Sequence, residues 1–165
     1  MKQTILKYSS LLALLGSTFF STQTFSAGCQ TGASPDDGCT IDFSNITYTL
    51  TGDIDTDTTD SIIDFVSGAN SNTLNFFGSI VSEGRSARAF IFSSNDGNTL
   101  SMTGNIVTEG DFAEGIRLNL NATNTTINLI GSISTSGSLA PGILFNNGSN
   151  SNTTTISGNI STIGN

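Results

Sequence analysis

The sequence predicts an all-β protein, a parallel and right-handed β-helix solenoid, and three observations support this fold class. A Gly-x-Ile triplet recurs along the chain, and its successive glycines are separated by 26, 26, 27 and 27 positions. Large apolar residues stand at every second position around the triplets, which is the periodicity of a β-strand. Charged residues make up 11% of the chain, less than half of the usual share of about 25%. Asn, Ser, Thr and Gly, which suit short strands and turns, take their place.

Each repeat contains at least two short strands, as the spacing of its apolar residues indicates. One alternating pair stands two and four residues before the glycine of the triplet, as in Leu100 and Met102. A second pair follows that glycine at a fixed distance, as in Ile116 and Leu118. Repeats of constant phase are typical of a solenoid, whose coils bury their apolar faces by stacking. The inward glycine and isoleucine ladder is expected to comprise Gly52, Gly78, Gly104, Gly131 and Gly158 with Ile54, Ile80, Ile106, Ile133 and Ile160.

A turn is predicted between the two strands of each repeat. Gly84, Gly110 and Gly137 open it, and an alanine stands three residues after each of them. Glycine permits a left-handed turn, and alanine fits where two levels of the chain crowd together. The polar stretches after the second strand are expected to be outward loops, because most of the length variation falls there.

Two other repeat folds fit the sequence less well. A β-propeller blade needs four strands and roughly 40 residues, so the repeats of this chain are too short. Leucine-rich repeats have a suitable length, but they require a fixed Asn and several Leu that are not in these repeats. Stacked coils would instead pair each strand with its equivalent in parallel, about 4.8 Å away.

Residues 1–28 are predicted to be a signal peptide. Lys2 and Lys7 give a positive start, residues 11–20 form an apolar run, and small residues at 26–28 offer a cleavage site. The apolar run is too short to span a bilayer. The remaining chain is expected to divide into residues 29–44, an N-terminal disulfide loop and cap, and residues 45–165, about four and a half coils of β-helix. The last coil is incomplete, so the chain is interpreted either as the front of a longer protein or as a relic.

The two cysteines, Cys29 and Cys39, flank a Pro/Asp/Gly turn close to the predicted cleavage site. In an exported chain, an even number of cysteines indicates a disulfide, which here would close a small loop. The alternative is lipidation of Cys29, since residues 26–29 read Ser-Ala-Gly-Cys, although a lipoprotein signal has Leu where Ser26 stands. Both interpretations are open at the level of the sequence.

Charge and composition exclude several classes of function. After residue 28 the chain has three arginines, no lysine and 13 acidic residues, a net charge of −10. A nucleic-acid partner is not expected, because phosphate binding requires a basic surface. The absence of histidine excludes Ser-His-Asp and Cys-His nucleophiles and histidine-ligated metals within this chain. No cofactor is expected.

Carboxylates and arginines are the remaining candidates for chemistry. Parallel β-helices include polysaccharide lyases and hydrolases that use paired carboxylates, or calcium together with arginine. Glu83 and Glu109 have the same phase in the repeat and are expected to stack on one face. Ordinary solvated side chains are the simpler interpretation, so the chain is expected not to be an enzyme. The other candidates are Asp53, Asp55, Asp57 and Asp60, with Arg85, Arg88 and Arg117.

Calcium is a weaker possibility at the acidic run of residues 53–64. Asp53, Asp55, Asp57 and Asp64 stand at positions 1, 3, 5 and 12 of a calcium-loop pattern. However, Thr58 stands where that pattern requires glycine. An acidic turn in the first coil is the alternative interpretation.

Residues 45–165 resemble the passenger region of bacterial autotransporters. The resemblance rests on the export signal and on coils that read Asn-Thr-Leu-x-φ-x-Gly-x-Ile, followed by a second glycine and an alanine. It implies a β-helix displayed on the cell surface or the outer membrane, or released outside the cell. It also implies a β-barrel translocator downstream, which this sequence does not contain.

Two functions from different classes therefore stand as hypotheses. The first is a surface protein with a structural or adhesive role, which would contact a host surface or a carbohydrate. The second is a polysaccharide-active β-helix enzyme that uses carboxylates. A cleft lined by at least two acidic residues and an arginine on adjacent coils would favour the enzyme, whereas uniform polar loops would favour the structural role.

Overall fold

The computed structural model describes residues 39–164 and the backbone of residues 22–26. These residues form β-strands and no helix, and none of them could cross a membrane as a helix. All the strands run parallel to their neighbours in three sheets. The first sheet comprises β1 (Thr22–Ser26), β3 (Thr47–Thr51), β6 (Thr73–Phe77), β9 (Thr99–Thr103), β12 (Thr126–Ile130) and β15 (Thr153–Ser157). The second comprises β4 (Ile54–Thr56), β7 (Ile80–Ser82), β10 (Ile106–Thr108), β13 (Ile133–Thr135) and β16 (Ile160–Thr162), and the third comprises β2 (Cys39–Ile41), β5 (Ile63–Phe65), β8 (Phe90–Ser93), β11 (Ile116–Asn119) and β14 (Ile143–Phe145).

The register of these strands confirms the predicted β-helix solenoid. Each strand pairs with the strand one coil before it and one coil after it, so that Ile106 stands between Ile80 and Ile133. The same in-register stacking holds in the first and third sheets. The chain therefore winds through the three sheets in turn, and each complete turn, from one Gly-x-Ile triplet to the next, is one coil.

Each coil has three strands, because the glycine of the Gly-x-Ile triplet separates two of them. Gly104 has a φ of 143°, and a Cβ on it would lie 1.9 Å from the carbonyl oxygen of Gly78. Only glycine permits this approach of two coils together with this backbone conformation. The break turns the chain from the first sheet into the second.

The core lies inside the three sheets and is built from columns of apolar side chains. Ile80, Ile106 and Ile133 are completely buried in the second sheet. In the third sheet the rings of Phe65 and Phe92 stack with their centroids 4.3 Å apart. Burial of one such side chain stabilises the fold by about 1.5–3 kcal/mol, so the columns account for much of the stability.

The ends of the solenoid differ from its middle. β1 pairs with β3, although Thr22–Ser26 belongs to the predicted signal peptide, and cleavage there would remove this strand. At the other end Ile160 is 50% exposed, since none of the described coils stacks above β16. The predicted boundary at residue 28 and residues 29–38 of the predicted loop and cap, 29–44, lie outside the described residues. Within the remainder of that predicted segment, β2 pairs with β5 in the third sheet.

The polar stretches between the third and first sheets are not simply outward loops, which corrects the expectation from the sequence. Asn72, Asn95 and Asn98 are buried in them. The Asn98 side chain accepts a hydrogen bond from the backbone N–H of Asn72 and donates one to the carbonyl of Ala69. Amide side chains there satisfy backbone groups inside the turn, which alternating apolar patterns do not reveal.

Candidate functional site

The turn between the second and third sheets brings most of the candidate charges to one corner of the coil. Gly84 and Gly110 stack directly, since a Cβ on Gly110 would lie 2.0 Å from the Gly84 carbonyl oxygen. Two residues further on, Ser86, Phe112 and Leu139 have φ values of 64°, 57° and 53°. Backbone hydrogen bonds between coils hold this left-handed conformation, for example from the Phe112 N–H to the Ser138 carbonyl.

A buried carboxylate lies at this corner between two of the predicted arginines. The Glu114 side chain is 5% exposed, and its Oε2 lies 2.5 Å from Arg88 Nε. Its Oε1 accepts a hydrogen bond from Arg117 Nη1 at 3.2 Å. Arg88 also donates from Nη1 to the carbonyl of Ser86. The sequence-based candidates included both arginines but missed Glu114, although it follows Arg88 by one coil and precedes Arg117 by three residues.

This cluster is poorly suited to acid–base catalysis. Each oxygen of Glu114 is engaged by a guanidinium. A carboxylate that serves as a general base or acid must reach the proton that is transferred, and both oxygens of Glu114 already contact an arginine. The cluster therefore has the character of a structural ion pair across two coils.

The other predicted acidic residues do not join Glu114 in a cleft. Asp53 lies in a turn, where its Oδ1 accepts a hydrogen bond from the Ser79 backbone N–H at 2.7 Å. Glu83 and Glu109 are exposed at equivalent positions of adjacent coils, next to the corner. In the described part of the chain, no three His, Cys, Asp or Glu side chains come together as metal ligands. Asp55, Asp57 and Asp60 are exposed along or after β4.

The acidic run of residues 53–64 does not form a single loop. Asp55 lies in β4 of the second sheet, whereas Asp64 lies in β5 of the third sheet. A calcium loop needs all of its ligands around one centre. The run instead spans two faces of the first coil.

Asp64 is the acidic residue whose environment is most unusual. Its Oδ1 is buried, and none of the residues that the structure describes forms a hydrogen bond with it. Burial raises the pKa of this carboxyl above its ordinary value of 3.8. In the register of the third sheet, Ile91 separates Asp64 from Arg117, so the two charges are about two strand spacings apart, roughly 10 Å.

Cys39 is the first residue of β2 and stands opposite Ile63 in β5. Cys29 lies outside the described residues. The disulfide between them and the lipidation of Cys29 therefore both remain predictions.

Exposed apolar side chains stand at the two edges of the second sheet. Phe77 and Ile130 stand where the first sheet meets the second, and they are 51% and 63% exposed. Phe112 and Leu139, at the arginine corner, are 37% and 66% exposed. Val81 and Val107 point outward between these two edges, in adjacent coils. We refer to these six residues as the apolar face.

Arg85 adds a charge to this face. Its guanidinium carbon lies 5.4 Å from the centroid of the Phe112 ring, within the range of a cation–π contact. Phe112 and Leu139 are bulky residues in a backbone conformation that such side chains rarely adopt. Leu120 has the same conformation at another turn, so the conformation alone does not mark a site. The exposed apolar side chains together with an arginine make the apolar face the candidate functional site.

The chain matches no protein-family model, no curated protein and no solved structure. Its function must therefore be inferred from its own residues.

Proposed function

We propose that this chain is an exported β-helical surface protein, an autotransporter-like passenger segment with a structural or adhesive role. The observation that carries the proposal is the apolar face. Exposed apolar surfaces with aromatic residues and arginine are typical of interaction sites. A rigid stack of coils can present such a face at a fixed distance from the cell.

Two destabilising features of the apolar face support this role: exposure to water and a left-handed backbone. Phe112 and Leu139 are exposed to water, and their left-handed backbone costs on the order of 1 kcal/mol or more per residue. Ser86 has the same conformation on the preceding coil, so a polar residue can fill the position. The apolar residues gain little within the described coils and suit contact with a partner, which we place on a host surface or a carbohydrate.

The absence of catalysis is part of the proposal. Glu114, the buried carboxylate of the corner, is engaged by two arginines. The other candidate carboxylates are distributed over turns and strands rather than facing one another. We accordingly propose a binding protein, carried through the outer membrane by a translocator encoded downstream.

Export is tested by expressing the natural reading frame in a Gram-negative host. The expected product lacks residues 1–28 and is cleaved when protease is added to intact cells. Mass spectrometry of that product should show one disulfide and no acyl group. A cytoplasmic product that retains its leader would refute export, and an acyl group on Cys29 would move the protein to the lipoprotein class.

Adhesion is tested by coating beads with the purified protein and measuring their attachment to cultured host cells and immobilised polysaccharides. The double variant Ile130→Ser and Leu139→Ser should reduce attachment strongly, because it removes the two most exposed side chains of the apolar face. Phe43→Ser is the matched control, since Phe43 is 63% exposed and lies after β2, outside the apolar face. Equal attachment by both variants and the natural protein would contradict an adhesive role for this face.

A further inference from the structure

The outer side of the first sheet carries two straight rows of hydroxyl and amide side chains. The first position of each strand from β3 onward is threonine, and the third position is threonine, serine or asparagine. The residues between them point into the core. We refer to the two rows together as the hydroxyl array. Its members are Thr47, Thr73, Thr99, Thr126 and Thr153 in one row, and Thr49, Asn75, Ser101, Asn128 and Thr155 in the other.

The register makes this array regular in two directions. Thr73 pairs with Thr99, and Thr99 pairs with Thr126, without any shift between coils. Neighbours along a row are therefore about 4.8 Å apart, and the two rows are about 6.6 Å apart along each strand. Stacked ladders of side chains also favour a flat sheet over a twisted one.

Three side chains of the array are exposed and the other seven are half-buried, so all ten can be reached from outside the protein. None of the ten forms a side-chain hydrogen bond with any residue that the structure describes. At the turns the opposite holds, since Asn70, Ser94 and Asn105 all bond to the neighbouring coil. No charged residue stands at an outward position of β3, β6, β9, β12 or β15. In a chain of net charge −8, five adjacent strands without an outward charge form a distinct surface.

The spacing of the array suits ordered water. Hydroxyl oxygens that hydrogen-bond at about 2.75 Å in a tetrahedral network have second neighbours at about 4.5 Å. The row spacing of about 4.8 Å is close to this distance. Threonine supplies a methyl group beside each hydroxyl, and the array has no charge that would impose a different hydration shell.

We propose that the hydroxyl array binds ice. Water held by the rows would join the lattice at the ice surface, and the number of stacked coils would set the size of the contact. The outermost row of the same sheet contains Phe77 and Ile130 of the apolar face, with Thr103 between them, so the two surfaces are adjacent at this edge. The proposal does not rest on the adhesive role, because it is argued from the first and third positions of these strands and from none of the six residues of the apolar face.

The test uses the purified natural protein cooled slowly with a single ice crystal. The expected result is a faceted crystal and a gap between its melting and freezing temperatures. The double variant Thr99→Lys and Thr126→Lys should lose both effects, down to the level of buffer, because two adjacent charges interrupt the row at its centre. Ser134→Lys and Ser161→Lys, on adjacent coils of the second sheet and outside the apolar face, form the matched control and should retain both effects.

Circular dichroism must show that each variant retains the β-fold of the natural protein. A further variant, Thr99→Val, keeps the shape of the side chain without its hydroxyl, and it should weaken the effect less than lysine does. Round crystals that freeze at the melting point with the natural protein would overturn the proposal. Equal loss in the array and control variants would also overturn it. Retention on microcrystalline cellulose or chitin without any effect on ice would assign the array to an ordered polysaccharide instead.

Discussion

Asp64 shows how one residue can make the stability of this fold depend on pH. The buried position of its carboxyl raises the pKa in the folded protein above the ordinary value of 3.8. The folded state therefore binds a proton more tightly than the unfolded state does. The free energy of unfolding falls as the pH rises from about 3.8 through the raised pKa. Above the raised pKa, the loss caused by ionising the buried carboxyl is complete.

Asp64→Asn should accordingly raise the thermal midpoint at neutral pH and have little effect below pH 3.8. Melting curves of both proteins across this range measure the difference. Asp96→Asn is a control in which the thermal midpoint should change in the opposite direction, because hydrogen bonds from Thr123 and Asn124 lower the pKa of Asp96. That variant should be destabilised at neutral pH and should approach the natural protein as the pH falls through the lowered pKa. A constant difference for Asp64→Asn at every pH would contradict this account.

The asparagine turn is the element whose loss should be most damaging outside the strands. Asn98→Ala would leave the Asn72 N–H and the Ala69 carbonyl buried without their partners. Each unsatisfied group costs about 1–3 kcal/mol, so the free energy of unfolding should fall by about 2–6 kcal/mol. Denaturant titration measures this loss. Asn128→Ala is the matched control, because the exposed Asn128 side chain has no such bonds among the described residues, and equal losses would show that the buried asparagines contribute nothing.

The strands and turns differ in how far the sequence predicts them. Alternating apolar residues and the Gly-x-Ile triplet identify Ile106 as a core residue, because strand periodicity is visible in one copy and repeated in the others. Asn98 could not be identified in this way, since a buried asparagine and a solvated one look alike within a polar stretch. Glu114 was missed for a related reason: its partner Arg88 is close only because the coil brings residues 26 positions apart together. Pairings between coils become visible only when the period is applied to polar residues as well.

At the scale of the whole molecule, damage to one coil should spread to its neighbours. Ile106 is completely buried between Ile80 and Ile133. Ile106→Asp would place an unpaired charge in the core, which should lower the free energy of unfolding by more than about 4 kcal/mol. Hydrogen exchange should become faster in β7 and β13 as well as in β10, because coils are stabilised by their neighbours.

The natural protein provides the reference for this measurement. Its amides in β10 should be the best protected, and those in β16 the least, since every residue of β16 is exposed. Uniform protection from β4 to β16, or tolerance of aspartate at position 106, would mean that the coils do not stabilise one another as one column.

The constant separation of paired strands has a consequence for how the chain reaches its fold. Almost every contact between strands joins residues 26 or 27 positions apart. No two strands can pair until a full coil of chain is present. Closing that loop costs conformational entropy, which is lost before the first contact contributes any stability. Once two coils exist, the exposed edge of the last one is a template for the next. Folding should therefore begin with the slow formation of a nucleus of paired coils and continue with the rapid addition of one coil at a time.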